Sequence, residues 1–459
     1  MPGTPAADQP LTFADARQRF ASGDDAPTAY LDRCLTTIAE REPVVRAWAA
    51  TRFEEARTEA VAADLRWKQG EPLSTIDGMP IGIKDLISTS DLPTSLGIGG
   101  YTGPIGDDSA TILALRSAGA IILGKVTTTE LGGGTPSTTT NPHDPARTPG
   151  GSSSGSAAAV AAGMIPVALG TQVGGSILRP AGFCGNVAIK PTLGAFHRTE
   201  RLGLSHACIG VHANSLDDLW ATCVEMGGRC GGDPGYPGFY GSLPAPTSFK
   251  PRALALLEGP GWDGTQPAIR AVFEAFLDRV RAEGVTLIRP EDDGRLRAFH
   301  ELLPRAFWMV GVIVTWENRT LLSNLMRRIP DKLAAATVAQ YEYGLQLTID
   351  DYREALQLRD LLRRRQAELA GLCDALVSLT APEIAPLIDD PDRAAGAMAT
   401  GNPVFNVVPS LLGAPGLTLP LLEHAGMPLG VQLVGQWHCD GQIVAHGNWL
   451  MERFGRATI

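Results

Sequence analysis

Two stretches of small residues and one lysine are the parts of this sequence most suited to chemistry. The first stretch is Pro149-Gly150-Gly151-Ser152-Ser153-Ser154-Gly155-Ser156-Ala157. The second is Leu169-Gly170-Thr171-Gln172-Val173-Gly174-Gly175-Ser176. Consecutive glycines tolerate positive φ, so backbone N–H groups can converge on one point. Such a nest suits a developing oxyanion, and each donor is typically worth about 2.7–4 kcal/mol in a transition state. A serine at its end, Ser176, places a nucleophilic oxygen beside those donors. The chemistry this allows is acyl transfer.

A serine nucleophile needs a base. His143, His197, His206 and His212 read as surface or loop residues. Lys84 is the better candidate, because Ile81-Gly82-Ile83 and Leu86-Ile87 flank it with strand-like apolar residues. Lysines are few, only Lys68, Lys84, Lys125, Lys190, Lys250 and Lys332. A desolvated lysine falls below its usual pKa of about 10.4 and can accept a proton. The bland alternative is a strand-end lysine reaching solvent. On this reading Ser152, Ser153 and Ser154 are equal candidates for a residue between Lys84 and Ser176.

Other uses of the glycine-rich stretch fit less well. A phosphate-cradling loop needs GxxxxGK[ST], and no lysine follows these glycines. Gly151-Ser152-Ser153-Ser154-Gly155 matches GxSxG, but that elbow needs a preceding strand. Asn141 to Pro149 holds Pro142, Pro145 and Pro149, which a central strand excludes. A flexible linker is the compositional alternative.

The elements around the stretch alternate. Residues 11–70 predict helices, over Ala26–Glu40 and Arg52–Gln69 among others, with Thr12 or Asp15 as a first cap. Gly78–Leu86 predicts a turn and a short buried strand. Further helices are expected at Ala110–Ala118, Ser156–Ala162 and Gln266–Glu283. Strands are expected at Ala120–Val126, Val167–Leu169, Arg252–Leu257, Val285–Ile288 and Ala375–Leu379. Residues 295–375 read as mainly helical, with one long helix from Ile349 to Cys373. Gly426–Gly435 repeats the Gly-Met-Pro-x-Gly form of Gly78–Gly82 and predicts a second similar strand. The expected class is α/β.

Composition narrows the partners. The chain has 459 residues, 44 % of them hydrophobic, and a net charge of −10. That balance disfavours nucleic acid and anionic membranes. The seven cysteines form no CxxC pair, which reads as reduced thiols in a cytoplasmic protein. The eight histidines show no metal-ligand spacing, so no metal is expected. Neither a signal peptide nor a membrane span is evident.

With these residues in view, the chain resembles the amidase signature family from about Leu11 to Gly455. The resemblance rests on Gly82-Ile83-Lys84-Asp85, the Pro149–Ser156 stretch, Gly174-Gly175-Ser176, Phe183-Cys184-Gly185, Lys190-Pro191-Thr192 and Gly426-Met-Pro-Leu-Gly-Val-Gln-Leu433. Ser152 and Ser176 lie 24 positions apart, which also agrees. It implies a single domain over 1–459: N-terminal helices at about 11–70, a catalytic core at about 75–215 and a helical substrate-pocket insertion at about 295–375. The implied fold is a large mixed sheet with helices on both faces. The implied triad is Ser176 as nucleophile, Ser152 as bridging serine and Lys84 as base, with a cis Gly151–Ser152 peptide. The implied oxyanion donors are the N–H groups of Val173, Gly174, Gly175 and Ser176. Gly151, Thr171, Gln172 and Arg179 are the implied substrate-binding residues. No cofactor is implied. The expected partner is a small amide, and a homodimer stays open.

Two departures bear on the substrate. Many members have Asp at the position of Gln172 and Arg at that of Leu178, whereas here the arginine is Arg179. This pattern is similar to the malonamidase branch, in which the matching arginine binds a substrate carboxylate. Arg179 is therefore expected either to clamp an acidic substrate or to bind backbone carbonyls. The stretch Ser205–Gly210 also lacks the family's usual Asp. A stand-alone amidase is the favoured function. An esterase or acyl-transfer enzyme uses the same triad. The amidase component of a tRNA-dependent amidotransferase usually keeps the altered Asp and Arg. A silent binding protein would not need all three triad residues.

Overall fold

The computed structural model describes residues 12–198, 204–390 and 398–457. Eleven strands are β1 (Trp48–Thr51), β2 (Pro80–Lys84), β3 (Ile121–Val126), β4 (Val167–Gln172), β5 (Val187–Lys190), β6 (Cys208–Ala213), β7 (Ala253–Leu256), β8 (Thr286–Ile288), β9 (Ala375–Leu379), β10 (Gly416–His424) and β11 (Met427–Val434). They form one sheet in the order β1-β3-β2-β4-β6-β5-β10-β11-β9-β7-β8. β2 runs parallel to β3 and β4, and β7 parallel to β8 and β9. The central pairings from β4 through β6, β5, β10 and β11 to β9 are antiparallel. The sheet is mixed, as expected.

Its strands are apolar on both sides, because alternate residues enter different cores. Val167 and Leu169 of β4 join one core while Ala168 joins another. Leu254 and Leu256 of β7 likewise separate from Ala255. One face is covered by the helices Ala110–Ser117, Leu216–Cys230, Pro267–Ala282 and Asp440–Phe454, through residues such as Leu115, Leu219, Phe273 and Ile443. The other carries the helices Pro27–Val45, Phe53–Gln69, Ser154–Ala161, Ala306–Arg328 and Ile349–Ala367, through Leu31, Ala60, Ala158, Met309 and Leu362.

Several expectations shift. The helix expected to reach Cys373 ends at Ala367 and gives way to turns. The strand beginning at Val167 runs on to Gln172. Thr12 takes the N-cap position of the first helix without capping it; its hydroxyl turns to Asp15 at 2.8 Å. The buried Asp218 carboxylate instead accepts the N–H groups of Phe13 and Ala14, both at 2.8 Å. His206 and His212 both lie fully buried; His206 stands in a turn, a loop residue as expected though not a surface one, whereas His212 is neither. His212 belongs to β6, inside the sheet. Asn141–Pro149 makes no strand, as its prolines require.

The short helix Leu178–Cys184 lies directly on β11. A Cβ on Gly430 would come within 2.7 Å of Gly182 Cα, and a Cβ on Gly182 would overlap the Thr380 hydroxyl. Two glycines therefore bring a helix and a strand to backbone contact. Gly182→Ala is expected to overpack this seam and lower stability by about 1–3 kcal/mol, read as an earlier urea midpoint. An unchanged midpoint would show that the seam can yield.

Candidate active site

Lys84 ends β2 and points into the face shared with the helix Ser154–Ala161. It is 0 % exposed. Its Nζ lies 2.7 Å from Ser152 Oγ, 3.0 Å from Ser153 Oγ, 2.9 Å from Thr171 Oγ1 and 3.2 Å from Thr171 O. All four partners are uncharged. The next residue in the chain, Asp85, faces the other way and pairs with Lys125 at 3.4 Å. Alternation along a strand thus gives the carboxylate to one lysine and withholds it from the other. Burial without a counter-charge drives the Lys84 pKa well below its ordinary 10.5.

The serines are separated by where they point. Ser152 and Ser153 both reach Lys84, whereas Ser154 Oγ turns back to Gly150 O at 2.8 Å. The Gly151–Ser152 peptide is cis. Its carbonyl oxygen, on Gly151, accepts from Arg179 Nη2 at 2.7 Å. Ser152 O accepts from Thr129 N at 3.1 Å, and Ser153 N donates to Ser176 O at 3.1 Å. Ser176 is partly exposed. Among the described residues its hydroxyl has no hydrogen-bond partner, so the link from Ser152 Oγ to Ser176 Oγ is open while their backbones are tied. Catalytic hydrogen bonds are often long before substrate arrives.

The N–H groups of Val173, Gly174, Gly175 and Ser176 donate to no group among the described residues. The next two amides are taken: Ile177 N and Leu178 N donate to Gln172 Oε1 at 2.8 and 3.0 Å. Gly175 adopts φ +145°, and a Cβ there would lie 2.8 Å from Arg179 Nη1 and 2.9 Å from Asn406 Cβ. Only glycine fits that position. The loop thus presents four free donors beside Ser176.

Three of the four expected substrate-binding residues have their polar side chains occupied elsewhere. Gln172 is fully buried; its amide accepts from the loop and donates to Ser410 Oγ at 3.0 Å. A neutral amide thus holds both the loop before Ser176 and the helix Val407–Leu412. Thr171 serves Lys84. Arg179, 4 % exposed, donates Nε to Thr400 O at 2.9 Å and Nη2 to Gly151 O and Thr400 Oγ1. The guanidinium offered to a substrate acid is spent on the chain's own carbonyls, leaving only Nη1, beside Gly175. Burial lowers its pKa to about 10, partly offset by the charge of Glu383. Gly151 has no side chain, and its carbonyl is the one Arg179 holds.

The sequence reading misses the supports from the far end of the chain. Asn406 Nδ2 donates to Gln432 Oε1 at 2.8 Å, and Gln432 Nε2 to Ser378 Oγ at 3.0 Å. Gln432 sits in the late Gly-Met-Pro motif, the one available signal for this network. It misses His212 as well. Burial above all lowers the His212 pKa to about 3. A separate cavity of about 490 Å³, lined by Asp85, Glu130, Ser137 and Lys332 among others, includes none of the triad positions.

Comparisons with known proteins bear on the family of the whole chain. A family model described as Amidase matches residues 29–444. One component of the glutamyl-tRNA(Gln) amidotransferase of Chloroflexus aggregans is 30 % identical over 464 residues, covering 93 % of each chain. An amidase of Pseudomonas putida is 30 % identical over 433 residues, covering 89 % of each. A solved amidase crystal structure superposes with a TM-score of 0.84 at 28 % identity, covering 97 % of this chain and all of its own. An uncompensated lysine, hydroxyls against it and a donor-lined serine stand on a chain matched along nearly its whole length. The chain belongs to the amidase family and is an amide-hydrolysing enzyme.

Proposed function

We propose that the enzyme hydrolyses a small amide through an acyl-enzyme on Ser176, with Ser152 as bridge and Lys84 as base. The observation that carries this reading is the Lys84–Ser152 contact of 2.7 Å, at a lysine that pairs with no carboxylate among the described residues. A neutral amine accepts the Ser152 proton; Ser152 takes the Ser176 proton as Ser176 Oγ attacks the carbonyl carbon. The resulting oxyanion meets the free N–H groups of residues 173–176. Ser152 then protonates the leaving nitrogen, the C–N bond breaks and the acyl group remains on Ser176. Water enters by the same relay, releasing the acid and restoring the Ser176 proton.

The amidotransferase and amidase relatives match at the same 30 % identity, so identity does not separate transfer from hydrolysis. The stand-alone reading expects ammonia or amine release by the purified chain. Release only in the presence of a tRNA-charging partner would replace it. A fluorophosphonate should label the native enzyme covalently. Ser176→Ala should abolish that label and lower kcat by on the order of 10⁴–10⁶. A persisting label would move the nucleophile elsewhere.

The base imposes a pH dependence. Activity should rise with pH as Lys84 loses its proton, reaching a plateau well below 10.5. Lys84→Met should remove the limb along with the activity. Stability should follow the same sign. Between the lowered folded pKa and 10.5 the unfolded lysine binds a proton that the folded one does not, so stability falls as pH is lowered through that window. A kinetic limb near 10.5 would show that the amine is not desolvated.

Arg179 acts as a brace on the Gly151 carbonyl and the Thr400 segment. Arg179→Met should lower kcat by roughly 100-fold through misplacement of Ser152, equally for neutral and carboxylate-bearing amides. A rise in KM confined to carboxylate-bearing amides would restore the acid clamp.

A further inference from the structure

A second group of buried polar residues lies at the same end of the sheet and takes no part in the relay. Cys208, which begins β6, pairs with Gln172 of β4. The turn before it, Ser205–Ala207, meets the helix Ile349–Ala367. Arg359 and Arg363 stand one turn apart there, so their side chains share a face. Arg359 is buried; it donates Nη1 to Ser205 Oγ at 2.6 Å and leaves Nε without an acceptor. Arg363 donates Nε to Leu411 O at 2.9 Å, lies 5.6 Å from the Trp437 ring centroid and leaves Nη2 without an acceptor. His206, 0 % exposed, has no partner at either ring nitrogen.

The acids nearby are engaged elsewhere. Glu317 accepts from Ser205 N at 2.7 Å and Tyr352 OH at 2.9 Å. Asp233 pairs with Arg198, and Asp440 takes Thr192 N and Oγ1. Asp360, exposed on the same helix, acts on Arg363 only through its field. Lys190 adds another cation, held by Pro191 O at 2.7 Å and near Cys208 Sγ at 3.6 Å. Among the described residues, neither Arg359 nor Arg363 has a carboxylate within 4 Å. Burial first, then Arg359, Arg363, Lys190 and Arg198, hold His206 uncharged, with its pKa down at about 3.

This arrangement is costly as it stands. Like charges one helical turn apart repel, and a buried N–H without an acceptor forfeits its solvation. A water can accept from two donors but leaves both charges uncompensated. A small anion accepts from both guanidinium groups and from the imidazole N–H, and it supplies the missing charge. We propose that Arg359, Arg363 and His206 form a binding site for a small monoanion, chloride or a carboxylate, apart from the Ser176 centre.

The test is thermal unfolding of the full chain at fixed ionic strength, with sodium gluconate exchanged for sodium chloride or sodium formate. Gluconate, a bulky anion, serves as the reference. The expected result is a saturable rise in Tm of about 1–3 °C with the small anions. A rise with both assigns a free inorganic ion, and a rise with formate alone assigns a ligand's carboxylate. Arg359→Met and Arg363→Met should each remove the saturable part while amide hydrolysis at saturating substrate stays the same. Should either variant fail to fold, crystals of the unaltered protein soaked in bromide should show anomalous density between the two arginines. Equal Tm in all three salts, a saturable rise that survives in both variants, or bromide absent from this place would each overturn the proposal.

Discussion

The amine of Lys84 sits among hydroxyls and a carbonyl, and no carboxylate among the described residues pairs with it. Taking a cation out of water costs several kcal/mol unless a counter-charge accompanies it. The surroundings therefore favour the uncharged form, and the uncharged form is the one that can accept a proton. Much of the nearby structure preserves that condition. β2 lies inside the sheet between β3 and β4, so water is kept from Nζ. The Asp85 carboxylate is sent to the opposite side and engaged by Lys125. Gln172, being neutral, puts no negative charge beneath the loop that leads to Ser176. The neutral amide still accepts the two N–H groups that must be satisfied.

A second constraint is positional. Ser152 and Ser176 come from separate segments, and the proposed relay requires them to meet within one hydrogen bond. Arg179 bridges the Gly151 carbonyl to Thr400, and Ser153 N reaches Ser176 O. Arg179 also lies on the helix that follows Ser176. One side chain thus couples the segment holding Ser152 to the segment holding Ser176.

Much of this is legible in the sequence, and the losses have physical reasons. β2, β3, β9 and β11 are short apolar runs with turn residues at their ends, and they are readable. β10 escapes notice although it lies mid-sheet. It contains Pro420, which a central strand normally excludes, and the pairing with β11 shifts register between Leu419 and Leu422, around that proline. β6 escapes notice because Cys208-Ile-Gly-Val-His-Ala213 carries a glycine and a histidine. Lys84, Ser152 and Ser176 are legible from motif spacing. The role of Gln172 is not, and Arg179 is legible only as one of two alternatives, the binding of backbone carbonyls, without its partners, because Ser410 and Thr400 lie more than 200 positions away and no local pattern announces them.

The Gln172 side chain has one more consequence. By accepting from Ile177 and Leu178 it closes residues 172–178 into a ring held by hydrogen bonds rather than by a covalent bond. The peptide dipoles inside that ring cannot swing away singly. Their ordering entropy is given up once, when the polypeptide folds, and not again at each turnover. The loop behaves in this respect as a small macrocyclic host built into the strand end, with its concave rim already set before any guest arrives.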